Sequence, residues 1–108
     1  MAFFEHVIML KQDLSTAEID NILKNHNDVL SELKGNIHYK ESWGLRNLAY
    51  PIKNNKKAFY EFMNIEIPQE NIKTLNSKLN LNEDVIRYLS VKVKSFGETP
   101  TSMIKEKE

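Results

Sequence analysis

The sequence predicts an α+β fold, in which a four-stranded antiparallel sheet carries two helices on one face. Two observations predict it. The chain alternates short β-branched or aromatic runs with segments of helical apolar spacing, and those segments follow the order β-α-β-β-α-β. This order is the ferredoxin-like split βαβ plan, in which right-handed crossovers place both helices on the same face of the sheet. The other face of the sheet is then expected to be open.

The first half of the chain has clear boundaries. Residues 3–10 are too short for a helix and are rich in Phe, Val and Ile, so they predict a strand. Ser15 and Glu18 have the spacing of a capping box, in which each side chain takes one free amide at a helix start. The apolar spacing that follows predicts a helix over 16–34, with Gly35 as its C-terminal cap.

The second half is predicted from its aromatic runs and its turn residues. In chain order, the segments are an extended strand, a polar hairpin loop, a strand, a helix and a last strand: 36–46, 53–57, 58–67, 69–80 and 85–94. From Ser95 onward, glycine, proline and a final run of alternating Lys and Glu replace the apolar pattern. The sequence therefore predicts one ferredoxin-like domain over 1–94 and a flexible C-terminal tail over 95–108.

The composition excludes several classes of protein. Of the 108 residues none is cysteine, which excludes a disulfide scaffold, an iron–sulfur cluster and a thiol nucleophile. The apolar start of the chain lacks the basic segment and cleavage site of a signal peptide, and no run reaches the length of a membrane span. We therefore expect a cytoplasmic protein with no membrane partner.

The formal net charge is zero, but the charge is unevenly distributed. Residues 36–57 carry a net +4 and residues 85–97 a net +3, whereas the helix-bearing segments 1–35 and 58–84 each carry −3. The zero sum argues against coating of nucleic acid by bulk charge, yet it leaves room for local basic contacts. Ordinary solvated surface charge is the alternative interpretation.

No catalytic or metal-binding pattern stands out. The three histidines have no ligand spacing, no glycine elbow frames a serine, and three glycines are too few for a phosphate-binding loop. The sequence therefore predicts no enzyme, no metal, no cofactor and no small-molecule substrate. The alternative is a small ferredoxin-like enzyme or ligand-binding module that uses the open sheet face. For that alternative, His6 is the candidate residue if its side chain reaches the open face, while His26 is expected to be half-buried on the first helix.

The most informative segment is 43–53, with the sequence WGLRNLAYPIK. Gly44 permits a bulge, and Pro51 cannot donate to a neighbouring strand, so the segment is typical of an edge strand. Glu41 and Arg46 place opposite charges along the same strand. They either protect the edge from self-association or form a surface for a specific partner, and both roles can coexist.

This segment resembles the bacterial small-subunit ribosomal protein six family. That family's pattern is Gly, any residue, a basic residue, a polar or charged residue, Leu, Ala or Ser, Tyr, any residue, Ile and often Lys, and every constrained position agrees over 44–53. The resemblance extends over 3–94, through Glu5 in the first strand, the DLS helix start and the closing sequence LNxxLxLNEDVIRYLxVKV. The sequence departs from the family at Phe4, where tyrosine is usual, and at Asn47, where a basic residue is common.

The resemblance implies a structural constituent of the small ribosomal subunit. Members of the family bind the central domain of 16S ribosomal RNA together with small-subunit ribosomal protein eighteen, as a heterodimer. By similarity, the residues expected to face the protein partner are Glu41, Arg46 and Tyr50. The residues expected to contact RNA phosphates are Arg87, Lys92 and Lys94 of the last strand, and Lys53, Lys56 and Lys57 of the hairpin.

Overall fold

A computed structural model describes residues 1–94, so the predicted tail over 95–108 lies outside the described residues. The elements in chain order are β1 (Ala2–Lys11), α1 (Thr16–Glu32), β2 (Asn36–Ile52), β3 (Asn55–Ile67), a 3₁₀ turn (Gln69–Asn71), α2 (Ile72–Asn80) and β4 (Val85–Val93). The predicted order β-α-β-β-α-β is confirmed. In the part of the chain that the structure describes, neither helix is long and apolar enough to cross a membrane.

The four strands form one antiparallel sheet in the order β2-β3-β1-β4. The long strands β1 and β3 lie in the centre, while β2 and β4 form the two edges, as predicted for β2. Alternate residues of the central strands face the helices and bury a core with them. Its buried members include Phe4, Ile8, Leu30, Ile65 and Leu75. We call the opposite side of the sheet the helix-free face.

Helix α1 begins as predicted and ends differently. The Ser15 hydroxyl accepts from the Glu18 amide at 3.2 Å, and the Glu18 carboxylate accepts from the Ser15 amide at 3.0 Å. At the other end Lys34, not Gly35, adopts the left-handed conformation, with φ of 64°. Gly35 is needed for space, because a Cβ there would lie 2.5 Å from Leu30 Cδ1 and 3.1 Å from the Glu66 carbonyl oxygen.

The hairpin predicted at the polar run 53–57 is present, but its loop is shorter than predicted, because β2 runs on to Ile52 and β3 begins at Asn55. The turn has only two residues, Lys53 and Asn54, with φ of 48° and 68°. Two positive φ values are typical of a type I′ turn, whose twist matches that of the flanking strands. The buried Asn55 side chain completes the turn by donating to the carbonyls of Ile52 and Lys53.

The helix-free face is only partly open. It carries a second apolar cluster, formed by Val7, Met9, Ala58, Tyr60, Phe62 and Ile86. Trp43, Leu48 and Ile52 of β2 pack against this cluster. The expected open face is therefore partly covered by the sheet's own edge strand, at the end where the β2–β3 hairpin turns.

Candidate partner and nucleic-acid interface

A bulge in β2 places Trp43 over the helix-free face. The register with β3 shifts between Ser42 and Gly44, and Gly44 has φ of 72°, while a Cβ at this position would meet no atom within 4 Å. The glycine is thus required by its backbone conformation, not by crowding. The Trp43 ring stacks on Phe62 with centroids 5.3 Å apart, and its Nε1 donates to the Glu41 carboxylate at 2.6 Å.

Arg46 lies on the same face, just beyond the bulge. It is exposed and sits opposite Ala58 of β3, with its guanidinium carbon 5.6 Å from the centre of the Trp43 ring. Its Nε donates to the Trp43 carbonyl at 3.4 Å. A guanidinium at this distance from an indole is attracted to the ring face, which orients it without neutralising its charge. Glu41, Trp43 and Arg46 therefore form one connected surface on the edge strand.

The end of β2 reaches the opposite edge of the sheet. The Arg87 Nη1 of β4 donates to the Tyr50 hydroxyl at 3.5 Å, although β1 and β3 lie between the two strands in sheet order. Arg87 pairs with Met9, so its side chain belongs to the helix-free face. Burial raises the pKa of Tyr60, and the nearby charges of Arg46 and Arg87 act in the opposite direction. Both guanidiniums thus act on one buried ring.

The structure gathers the three predicted partner residues, Glu41, Arg46 and Tyr50, and adds Arg87 to them. We call Arg46, Tyr50 and Arg87 the arginine half of the helix-free face. Arg87 was predicted to contact RNA together with Lys92 and Lys94 of its own strand, but these two lysines do not lie beside it on the helix-free face. Lys92 pairs with the helix-facing Phe4 and donates to Gln69 at 2.6 Å. Lys94 lines the same cleft as Lys92, beside Pro68 and Gln69.

The hairpin lysines form a separate exposed group. Lys53 occupies the two-residue turn, and Lys56 and Lys57 begin the returning strand. The backbone amide of Lys57 donates to the Gln12 side chain at 3.2 Å, which ties the hairpin to the end of β1. The predicted basic residues therefore occupy three separate positions, namely the hairpin tip, the arginine half and the helix-side cleft.

The two buried histidines contradict the expectations placed on them. His6 points to the helices, not to the helix-free face, and is completely buried. His26 of α1 is also buried, where a half-buried ring was expected, and it stacks on His6 with centroids 5.1 Å apart. Burial lowers the pKa of His6 to about 3, with a further contribution from His26, and burial lowers the pKa of His26 to about 4.

These positions remove the candidate residue for an enzyme on the helix-free face. His6 Nδ1 lies 2.6 Å from the Ser90 hydroxyl, within the packing between the sheet and the helices. Among residues 1–94, no three histidine or acidic side chains come together as a metal site. The perturbed histidines therefore belong to the core.

The family model described as Ribosomal protein S6 matches residues 3–92. The chain belongs to the ribosomal protein S6 family. Among similar proteins, the small ribosomal subunit protein bS6 of Zymomonas mobilis is 38% identical over 105 residues, which cover 97% of this chain and 85% of that relative. The corresponding protein of Rickettsia prowazekii is 40% identical over 105 residues, covering 97% of this chain and 87% of the relative.

A solved structure agrees with the ribosomal protein S6 fold. The crystal structure of 30S ribosomal protein S6 from Thermotoga maritima superimposes with a TM-score of 0.81, covering 85% of this chain and 87% of that chain at 20% identity. At this identity the match supports the fold alone. The predicted fold class is confirmed, and the predicted family, with its place in the small ribosomal subunit, is confirmed by the family match.

Proposed function

We propose that this chain is a non-catalytic structural component that binds the central domain of 16S ribosomal RNA as a heterodimer with small-subunit ribosomal protein eighteen. The observation that carries the proposal is the arginine half of the helix-free face. Arg46, on the edge strand β2, and Arg87, which donates to Tyr50, are two planar cations whose charges both act on the Tyr60 ring. Guanidinium groups suit the carboxylates of a protein partner and the phosphates of RNA.

The edge strand supports the protein part of the proposal. In the described residues β2 pairs with β3 alone, so its outer side presents backbone groups to the surroundings. Glu41 and Arg46 bring opposite charges to this edge, which disfavours pairing with a second copy in an arbitrary register. A partner with complementary charges can use the same edge.

The charge distribution supports the RNA part. With zero net charge, the chain has little general attraction for RNA and depends on local contacts. The exposed lysines Lys53, Lys56 and Lys57 of the hairpin tip, together with Arg87, Lys92 and Lys94 of the last strand, are the candidate contacts. Such residues would position the protein on the RNA backbone and contribute little base specificity.

We expect cooperative assembly with RNA. The affinity of this chain for a central-domain RNA fragment should rise at least about tenfold when protein eighteen is present, a coupling of ordinary size. A gel-shift or filter-binding titration, performed with and without the partner at one fixed salt concentration, measures it. Equal affinity in the two titrations would contradict the cooperative part of the proposal.

Arg87 is expected to contact a phosphate in the assembled complex. Arg87→Ala should therefore lower RNA affinity and reduce the slope of log affinity against log salt concentration by about one. The measurement is a salt series on the heterodimer. Asp84→Asn, which alters a charge near the start of the same strand but removes no cation, is the control. A slope unchanged by Arg87→Ala would show that Arg87 makes no phosphate contact.

A further inference from the structure

The other half of the helix-free face has a different character. One row of directly paired residues crosses all four strands there, from Tyr39 through Asn64 and Glu5 to Val91. Because neighbouring residues alternate in facing, these four side chains lie on the same side of the sheet as Phe62 and Val7. We call them the acidic row. The neighbouring row on the same face holds Glu41, and on every strand the two rows are two residues apart.

The acidic row contains two acceptors whose capacity is unused within residues 1–94. The Asn64 side chain is 7% exposed, and its Oδ1 has no hydrogen-bond partner among the described residues. Glu5, directly across from it, makes no hydrogen bond or ion pair in the same part of the chain. Partial burial raises the pKa of Glu5, since its ionised form loses hydration. Leaving a buried acceptor without a partner is unfavourable, so a donor brought by another molecule would be favoured here.

The surroundings of the acidic row are apolar and acidic. Tyr39 and Val91, at its two ends, are 43% and 42% exposed. The adjoining rows add Glu41, which accepts from Tyr39 and Trp43, and Glu66, which is 2.8 Å from the His38 imidazole. Phosphate groups would be repelled by this concentration of carboxylates. A cation on an aliphatic stem would suit it, because the stem can lie on Tyr39 or Val91 while the charged group reaches Glu5.

We propose that the acidic row receives a lysine or arginine side chain from the protein partner, with Glu5 as the anion and Asn64 as a second acceptor. The inference rests on the heterodimer proposed above and assigns a second contact within it. The arginine half and the acidic row then carry opposite charges at the two ends of one face. A partner segment with the reverse arrangement can bind in only one direction, so the two patches set orientation as well as affinity.

The test compares heterodimer affinity for isosteric variants by calorimetry, with purified protein eighteen as the titrant. Glu5→Gln keeps the shape of the side chain and removes its charge, and it should weaken the heterodimer at least about tenfold. The salt dependence of heterodimer formation should become shallower in the same variant. Glu32→Gln, at the end of α1 on the other side of the sheet, is the matched control and should change the affinity by less than about twofold.

A second variant keeps the test decisive if Glu5→Gln disturbs folding. Val91 is exposed and directly opposite Glu5, so Val91→Lys supplies a competing cation from within the chain and should also weaken the heterodimer. Circular dichroism verifies the fold of each variant. If both variants bind protein eighteen as tightly as the unmodified chain, the acidic row is not the contact and the inference is overturned.

The remaining outcomes separate the inference from the proposed function. If the unmodified chain forms no heterodimer, the proposed function fails in its protein part and the inference fails with it. If the heterodimer forms normally with Glu5→Gln and that variant instead changes affinity for RNA alone, the row faces RNA, which overturns the inference and leaves the heterodimer intact.

Discussion

The free energy of unfolding should fall by about 4 kcal/mol when the pH is lowered from 7 to 5, because two neutral histidines are buried in the core. His6 and His26 take up protons near pH 6.5 in the unfolded chain, whereas in the folded chain their pKa values are about 3 and about 4. Acid therefore favours the unfolded chain. The stabilisation is fully present above pH 6.5 and is lost progressively as the pH falls towards the folded pKa values of about 4 for His26 and about 3 for His6.

The packing explains why neither imidazole is easily protonated in the fold. The rings stack at an interplanar angle of 7°, so a proton on one would place a cation against the other. The Nε2 atoms of both rings are buried and lack hydrogen-bond partners in the described residues. Lys78 of α2, which lines the cavity beside His26, would add a second positive charge nearby. Glu61 of β3 faces the same side of the sheet as the two histidines. Its carboxylate accepts from the Ser42 hydroxyl at 2.6 Å and is therefore already engaged by a group other than an imidazole.

Urea titrations at a series of pH values measure this effect, and His26→Leu identifies its origin. The variant removes one of the two groups, so its loss of stability between pH 7 and 5 should be about 2 kcal/mol, half that of the unmodified chain. Burial raises the pKa of Glu61 and of Glu5, which opposes the trend near the acid end. Comparing the two proteins at each pH cancels these carboxylate contributions. Equal losses in both proteins would show that His26 does not cause the acid sensitivity.

The features that the sequence predicted correctly are those set by neighbouring residues. The capping box of Ser15 and Glu18 depends on a spacing of three residues, and both of its hydrogen bonds are present. The bulge at Gly44 depends on one residue's freedom to adopt positive φ. The edge position of β2 was indicated by Pro51 and the charged residues within the same segment. Each of these signals is local, so it can be recognised in the sequence without knowledge of the tertiary structure.

The features that the sequence did not predict depend on contacts between distant segments. The asparagines of the hairpin resembled a long polar loop, whereas Asn54 and Asn55 allow a tight turn and a longer strand. His6 sits in a strand whose two faces are both apolar, so hydrophobicity could not decide its direction. Its stacking on His26 and its contact with Ser90 identify the helix side.

The sequence predicted only part of the candidate site, because some of its contacts also join distant segments. Arg87 and Lys92 are close in sequence, which suggested one basic patch. An odd separation along a strand directs them to opposite faces, and strand alternation alone could have separated them. The contact between Arg87 and Tyr50 could not have been anticipated, because it requires the end of β2 to reach across the sheet. Alternation along β3 could likewise have placed Asn64 with Tyr60 and Phe62.

Arg46→Glu should weaken the heterodimer with protein eighteen about a hundredfold, while leaving the fold intact. Arg46 is exposed and its guanidinium lies over the Trp43 ring, so the loss of the cation–π attraction should cost only about 0.5–1 kcal/mol of stability. The effect on binding is larger, because reversing a charge replaces an attraction with a repulsion at the partner surface. The new carboxylate would also lie on the same strand and face as Glu41.

A change of equal charge on the other side of the same strand provides the control for Arg46→Glu. Lys40 is exposed and pairs with Met63, whose side chain belongs to the helix-side core, so Lys40→Glu alters the net charge equally without touching the arginine half. Pull-down and calorimetry with protein eighteen measure binding, and circular dichroism measures the fold. Loss of binding in Arg46→Glu alone assigns the interface to the helix-free side of β2. Equal losses in both variants would mean that total charge, and not the position of Arg46, governs association.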